Sequence, residues 1–256
     1  MSRVGWIRIA VIAIAIALLE ASCRLGLIDH RVVIPPSFPP SEMADALVHL
    51  LISGQDNDQI LRTFGIVVLA AVISAIGGFA LGVIIHALPR VRRSLDPFFA
   101  TYYAVPIFIF YPVMIVIFGL SAIPIVLMGV ATAIVAMIIA TLNGLDRVPQ
   151  VLTKVACVHR MGRIATALLL KLPAAAPHLF TGLKLAVSYA FIGVIASEFI
   201  LAPAGLGRVI SDAYTDFDNR KMYALMLLLI IVATVVNMFL HAVDQHLAER
   251  RGIGKA

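Results

Sequence analysis

Long apolar segments alternate with short polar ones along most of the chain. About 20 apolar residues form a helix long enough to cross the roughly 30 Å hydrocarbon core of a bilayer. The pattern predicts spanning helices at residues 5–28, 60–88, 97–120, 123–142, 183–201 and 222–243. The expected fold is therefore an all-α, polytopic membrane protein with about six transmembrane helices.

A proline-rich segment separates the first two predicted spans. Residues 35–40 read PPSFPP, which excludes a regular helix because proline lacks a backbone N–H. Ser41 then favours the start of a short helix, since serine is a good helix cap. Apolar residues follow at helical spacing, at Met43, Leu47, Leu50 and Leu51. We expect a short amphipathic helix that lies on the membrane surface.

Small residues and prolines shape the predicted spans. Ala70, Ser74, Gly78 and Gly82 recur every four residues, which predicts a face where another helix approaches closely. Pro106 and Pro112 are expected to break the third span. Asn143-Gly144 is expected to end the fourth.

The composition supports a membrane protein and sets its orientation. Residues of the charged types make up 13% of the chain, against about 25% in soluble domains. Fourteen of the 20 Lys and Arg residues fall on the side that holds both termini and the loop 143–183. Basic residues mark the cytoplasmic side, so both termini and this loop are expected there. The net charge of +6 then reflects membrane anchoring, not nucleic-acid binding.

With this orientation the chain divides into three parts. Residues 1–28 are expected to form an N-terminal transmembrane helix. Residues 29–59 are expected to form a connector on the opposite, non-cytoplasmic side, which carries the amphipathic helix. Residues 60–250 form a transmembrane core, which includes the cytoplasmic loop at 143–183.

Motifs for cofactor or metal chemistry are missing from the sequence. It contains neither a phosphate-binding G-x-x-x-x-G-K-[ST] loop nor H-E-x-x-H nor C-x-x-C. His241, Asp244 and His246 lie close together, but such a group is more typical of a solvated helix end than of a metal site. An intramembrane enzyme would need a Ser/His pair, paired carboxylates or metal ligands, and the spans offer no coherent set. We therefore expect no catalytic residue, no metal and no cofactor in this chain.

A few polar side chains fall within the predicted spans. Ionisable groups at membrane depth are costly and often functional. Glu198 in the fifth span is a candidate for lining a solute path, or alternatively for binding the Gly205-Leu-Gly207 turn that follows. Tyr102, Tyr103 and Tyr111 are further candidates for the path, with membrane-interface placement or packing as the alternative.

The cytoplasmic loop carries the most distinctive pattern. Its basic residues include Lys154, His159, Arg160, Arg163 and Lys171. The pattern predicts one helix over 149–160 and a second over 163–172, closed by Pro173. Gly162 is expected to take a positive φ in the turn between them. Two short helices at an angle would form a cytoplasmic projection that fits a groove on a partner, or alternatively an anchor on lipid headgroups.

This loop resembles that of permease subunits of binding-protein-dependent ABC importers. Their signature reads Glu-Ala-Ala, three residues, Gly, nine residues, Ile-x-Leu-Pro. Leu172-Pro173 match its end, which places Leu170 at the Ile position and Arg160 at the Gly position. Lys154-Val155-Ala156 then stand at Glu-Ala-Ala, so the two most characteristic residues differ.

The resemblance extends over about residues 30–250. Within the family, the chain is similar to the nitrate, sulfonate and taurine branch. This similarity is carried by LDPFFATYYAVPIFIFYPVMIVIFGLS at 95–121, by LPAAAPHLFTGLKLAVSYAFIGVIASEFI at 172–200 and by GLGRVI at 205–210. It implies a type I importer permease core in a bacterial inner membrane. The implied substrate is a small organic anion such as a sulfonate or taurine, or nitrate.

The resemblance also implies partners. Two permease subunits, identical or related, would form the pore in the lipid membrane. A periplasmic or lipid-anchored solute-binding protein would deliver the solute, and a separate ATPase that binds the ATP would dock on the loop. The residues implied in that docking are Lys154, Ala156, His159, Arg160, Gly162, Arg163, Leu172 and Pro173. Because Lys154 replaces an acid, we expect the ATPase groove to be unusually acidic.

An autonomous ion-coupled carrier is the alternative function. Such carriers usually contain internal repeats with helices broken at matching places. No convincing repeat relates residues 1–128 to 129–256. A carrier would transport without an ATPase, whereas an importer permease would not.

Overall fold

The computed structural model describes residues 3–24 and 39–250, and every element in this part of the chain is helical. The α-helices are α1 Arg3–Arg24, α2 Pro40–Ser53, α3 Asn57–Ala87, α4 Pro89–Thr101, α5 Tyr111–Phe118, α6 Ala122–Asp146, α7 Gln150–Val158, α8 Arg163–Thr166, α9 Leu172–Leu201, α10 Leu206–Thr215 and α11 Asn219–Arg250. The predicted all-α fold is confirmed. Most of the PPSFPP segment lies outside the described residues.

Four segments of the described chain are long and apolar enough to cross a membrane. They are Asn57–Ala87, Ala122–Asp146, Leu169–Leu201 and Asn219–His246. Two further segments, Pro89–Ala104 and Ile107–Phe118, qualify only as a pair bent by 87°, which would make a fifth span. The expected first span is helical over Arg3–Arg24, but it is not among these segments, so its crossing stays a prediction.

The sharp bend between α4 and α5 occurs at Pro106. Pro106 lies between two short 3₁₀ turns, at Tyr102–Ala104 and Ile107–Phe110, and has an extended backbone with φ −72° and ψ 90°. Pro112, by contrast, stands in the first turn of α5, where the missing N–H costs no helical hydrogen bond. The prediction that Pro106 breaks the helix is confirmed, and the same prediction for Pro112 is wrong.

The core forms where α3, α6 and α9 pack together. A Cβ added to Gly78 would lie 2.7 Å from Met137 Cβ, and one added to Gly82 would lie 2.6 Å from Thr141 Cβ. Both distances are too short for a side chain, so α3 contacts α6 at the backbone level. The small-residue face predicted for the second span is confirmed.

The fourth span runs further than predicted. The prediction that Asn143-Gly144 end it is wrong, because α6 continues to Asp146. Gly144 stays helical and lies against α9, where an added Cβ would be 3.1 Å from His178 Cβ and 3.3 Å from the Ala175 carbonyl oxygen. The glycine therefore serves close packing here and not termination.

A second apolar cluster joins α2, α10 and the first part of α11. Its buried members include Ala46, Leu47, Leu206 and Leu225. Of the expected apolar face of α2, Leu47 is buried, whereas Leu51 is 44% exposed. An ion pair of 2.9 Å between Arg220 and Asp45 also ties α11 to α2.

The start of α2 is capped differently from the prediction. The helix begins at Pro40, one residue before Ser41, and Ser41 is not its cap. The Ser41 hydroxyl and backbone N–H instead donate to the Glu20 carboxylate of α1, at 2.7 and 3.1 Å. A carboxylate is favourable at a helix N-terminus, where free N–H groups carry partial positive charge. Glu20 therefore attaches α1 to α2.

Candidate functional site

Helix α7 lies near the start of the loop 143–183 and has one buried and one exposed face. Ala156 is buried, at 3% exposure, on the side where α7 contacts the turn Ala167–Lys171. Val151, Val155 and Val158 are 65%, 39% and 81% exposed. Their spacing of four and three residues places them on one helix face. We call these three residues the valine stripe, and sequence reasoning missed it because it considered only the charges of the loop.

The turn after α7 has a Schellman geometry. The Met161 N–H donates to the Ala156 carbonyl at 2.9 Å, and the Arg160 N–H donates to the Cys157 carbonyl at 3.1 Å. In this motif the residue after the helix cap takes a left-handed conformation and is usually glycine. Arg160 occupies that position, with φ 51°. The expectation that Gly162 supplies the positive φ is therefore wrong.

Arg160 thus stands where the importer signature has its glycine and also has the backbone conformation that favours glycine. A non-glycine residue in this conformation costs roughly 1–2 kcal/mol. The turn keeps its shape because the two backbone hydrogen bonds and the buried Ala156 hold it. Lys154, His159 and Arg160 all lie exposed on the surface of this projection.

The second half of the loop is not a separate helix. From Arg163, α8 continues through one π turn at Ala167–Lys171 directly into α9. The expectation that Pro173 closes a short helix is therefore wrong, since it lies in the first turn of α9. In a regular helix the ring of Pro173 would clash with the Leu169 carbonyl, four residues earlier. The wider π turn spans Leu169 and accommodates the proline.

Glu198 is fully buried near the far end of α9. Thr63 Oγ1 lies 2.9 and 2.8 Å from its two carboxylate oxygens, and the Gly207 N–H donates to Oε2 at 3.0 Å. The Leu206 N–H in turn donates to Thr63 Oγ1 at 2.7 Å. The alternative reading, a carboxylate bound to the Gly-Leu-Gly turn, describes these contacts. Its place on a solute path stays a prediction.

The three tyrosines occupy different environments. The Tyr102 hydroxyl donates to the Ala131 carbonyl at 2.6 Å, and Tyr111 is 1% exposed in the core. Tyr103 is 43% exposed and stacks on Tyr189, with ring centroids 4.8 Å apart and planes at 20°. Of the three candidates, Tyr103 therefore lines an open space.

That space is a cleft of about 250 Å³ between α6 and α9, and we call it the Tyr103 cleft. Its lining residues are Tyr103, Ala136, Ile139, Ala140, Asn143, His178, Thr181, Leu185 and Tyr189. Sequence reasoning missed Asn143, His178 and Thr181 as a group because they come from two helices. Their common position at the loop-side ends of two spans could have been found only from the helix pairing.

An ion-pair cluster ties α4 to the same end of α6. The Arg92 guanidinium donates to both Asp146 oxygens, at 2.7 and 2.5 Å, and His86 Nε2 lies 3.4 Å from the same carboxylate. The sequence signal for this cluster was a basic residue after one predicted span, Arg92, and an acidic residue after another, Asp146. This cluster holds the end of α6, which leads into the loop 143–183.

The expected solvated end of α11 contains an ion pair. Lys184 of α9 lies 2.5 Å from Asp244. No group of three or more His, Cys, Asp or Glu side chains suited to a metal occurs in the described part of the chain.

Comparison with known proteins gives a family match over most of the chain. The sequence profile of the family described as binding-protein-dependent transport system inner membrane component matches residues 74–252. The matched part begins inside α3 and includes the loop 143–183, the Tyr103 cleft and the turn bound by Glu198.

Two relatives and one solved structure are similar to this chain. The nitrate import permease protein NrtB of Leptolyngbya laminosa is 31% identical over 192 residues, which cover 75% of this chain and 67% of the relative. The taurine transport system permease protein TauC of Escherichia coli is 25% identical over 186 residues, which cover 73% and 68%. A structure of the MetNI methionine ABC transporter in inward-facing conformations matches with a TM-score of 0.59 and 16% identity, covering 74% of this chain and 96% of that one. This last likeness concerns the fold alone.

Proposed function

Since the chain belongs to the family of inner membrane components of binding-protein-dependent transport systems, we propose that it forms the solute path of an ATP-driven importer. The protein is a multi-pass inner membrane protein and a transport permease subunit. It works with an ATPase and a solute-binding protein, and it has no catalytic residue of its own. Hydrolysis of ATP belongs to the ATPase.

The valine stripe is the observation that carries this proposal. Three valines exposed on one face of a short helix outside the spans are costly in water, and covering them is favourable by about 25 cal/mol per Å². Lys154, His159 and Arg160 surround the stripe with polar and basic groups. An apolar centre with a polar rim is the usual anatomy of a protein interface. We assign α7 to the groove of the ATPase.

Continuity between the loop and α9 supports a mechanical role. The turn after α7 leads through Gly162 and Arg163 into α8, and from there Leu172 and Pro173 continue into α9 without a break. Helix α9 packs along most of α6 and reaches the turn that Glu198 binds. A displacement of α7 by the ATPase would therefore be transmitted along α9 from the loop to the far end of the core. Such a contact couples ATP binding to the two access states of the pore.

The proposal also includes an orientation and an assembly, supported by the distribution of basic residues along the chain. In this orientation the loop 143–183 faces the ATPase, both termini lie in the cytoplasm and the connector 29–59 lies on the periplasmic side. A second permease subunit, identical or related, completes the solute path in this proposal. The lipid membrane covers the remaining apolar faces.

The substrate we propose is a small anion, namely either a sulfonate such as taurine, or nitrate. The named substrates of the two relatives support this class. Among the candidates for the path, Tyr103 lies in a cleft, whereas Tyr102, Tyr111 and Glu198 hold their surroundings through buried contacts.

Reconstitution tests the proposal. The chain is placed in liposomes alone, with its ATPase, and with its ATPase and solute-binding protein, and uptake of labelled nitrate and taurine is measured with and without ATP. We expect uptake only with both partners and ATP. Uptake by the chain alone, driven by an ion gradient, would instead establish a secondary carrier. An ATPase variant that binds but does not hydrolyse ATP is the matched control.

A further inference from the structure

Two polar side chains of the Tyr103 cleft lack a partner within the part of the chain that the structure describes. Among the described residues, the Asn143 amide and the His178 ring have no hydrogen-bond or ion-pair partner. Both lie on helices long and apolar enough to span the membrane. An unpaired polar group facing hydrocarbon is costly, so such groups usually face water, a ligand or another protein surface. Asn143 is exposed and His178 is half-buried, so both polar groups are open to whatever enters the cleft.

The chemistry of the lining favours an anion. Asn143 offers amide N–H groups, His178 offers a ring N–H, and Tyr103 carries a hydroxyl. The lining residues include no Asp or Glu that would repel a negative charge. We propose that the cleft is a subsite for a small oxyanion on the solute path, with Asn143 and His178 as donors. This inference rests on the proposed function and adds the residues that contact the solute.

The size and rigidity of the cleft fit this ligand. A volume of about 250 Å³ lies below the roughly 300–1,000 Å³ typical of sites for drug-sized molecules. The Tyr103–Tyr189 stack forms one wall. Close contact at Gly144, where an added Cβ would lie 3.1 Å from His178 Cβ, fixes α6 against α9. Asn143 and His178 therefore stand on two helices whose separation is set by the backbone.

Adding a negative charge at Asn143 tests the proposed subsite most sharply. In liposomes that contain the full complex, labelled nitrate and taurine uptake is measured together with ATP hydrolysis. Asn143→Asp has nearly the same size but adds a negative charge, and we expect uptake per ATP to fall by about tenfold for both probes. Asn143→Gln keeps the donor and should retain most of the uptake. His178→Ala should lower uptake per ATP in the same direction.

Asn219→Asp is the matched control, because it makes the same change at the start of α11, outside the cleft. Co-purification of the ATPase with each variant reports whether the permease has folded. If the wild-type complex is active and Asn143→Asp shows the same uptake per ATP, the subsite proposal is wrong, whereas the proposed function still stands. Uptake and hydrolysis that fall together would also overturn the subsite proposal, since that indicates a structural role. A wild-type complex with no ATP-dependent uptake of either probe would contradict the proposed function itself.

Discussion

Thr63 of α3 and Glu198 of α9 meet in the interior, with the threonine hydroxyl 2.8 Å from a carboxylate oxygen. The two residues are 135 positions apart, and both are fully buried. Through them the turn at Gly205–Gly207 is attached to two spans at once, because Leu206 and Gly207 donate their N–H groups to Thr63 and Glu198. This cluster closes the end of the core that lies far from the loop 143–183.

Removing the carboxylate should loosen this end. Glu198→Ala leaves the Thr63 O–H and the Gly207 N–H without their acceptor in the interior, and we expect a loss of stability on the order of 1–3 kcal/mol. Thermal unfolding in detergent measures it. Glu42→Ala removes an exposed carboxylate and serves as the control. Equal melting of the two variants would show that the buried contacts contribute nothing.

The Gly-Leu-Gly turn needs its first glycine for two reasons. Gly205 has φ 121°, and a Cβ there would collide with the Glu198 carboxylate. Gly119 also has a positive φ, of 73°, but no atom lies within 4 Å of its added Cβ. We therefore expect Gly205→Ala to destabilise the protein more than Gly119→Ala, which bears only a backbone strain of about 1–3 kcal/mol. The same melting assay compares them, and the reverse order would count against the turn geometry described here.

Arg160 should be conformationally strained. Arg160→Gly relieves the left-handed backbone conformation, and we expect slower hydrogen exchange at the amides of 156–161. Arg160→Ala removes the same charge without that relief and should not slow exchange. If both variants behave alike, the effect comes from the charge and not from the backbone.

The basic residues of the loop give a separate prediction. If the ATPase groove is acidic, Lys154→Glu should weaken its binding to the permease most strongly at low salt, because added salt screens charges at the surface. The affinity of the detergent-solubilised permease for the purified ATPase, measured at two ionic strengths, tests this. Lys171→Glu, further along the loop, is the charge-matched control. Binding of the Lys154 variant that equals that of the control would contradict an acidic groove.

The sequence predicted the fold class because apolar segment length is a direct consequence of bilayer thickness. It also located the helix contact at Gly78 and Gly82, since only small residues allow backbones to approach so closely. The break at Pro106 followed from the chemistry of proline alone. These features depend on local properties of the chain, and such properties can be read without a structure.

The errors have two causes, namely tertiary contacts and local backbone geometry that residue type alone does not reveal. Gly144 was read as a helix end, but it is held inside α6 by contact with α9. Pro173 was read as a stop, but a π turn carries the helix past it. Arg160 took the conformation assigned to Gly162 because the two turn hydrogen bonds select the position and not the residue. The Tyr103 cleft needs residues of two helices, and no spacing within one segment could have revealed it.

The central claim, that α7 docks the ATPase through the valine stripe, is tested most directly by a binding measurement. Val158→Asp places a charge at the most exposed valine of the stripe, at 81% exposure, and Thr153→Asp places it on the same helix outside the stripe. Each variant is purified in mild detergent and titrated with the ATPase. We expect Val158→Asp to weaken binding by at least about tenfold, since a charge in an apolar interface centre costs more than 1.4 kcal/mol, whereas Thr153→Asp binds like the wild type. Wild-type affinity of the Val158 variant would contradict the docking of α7 and the function built on it.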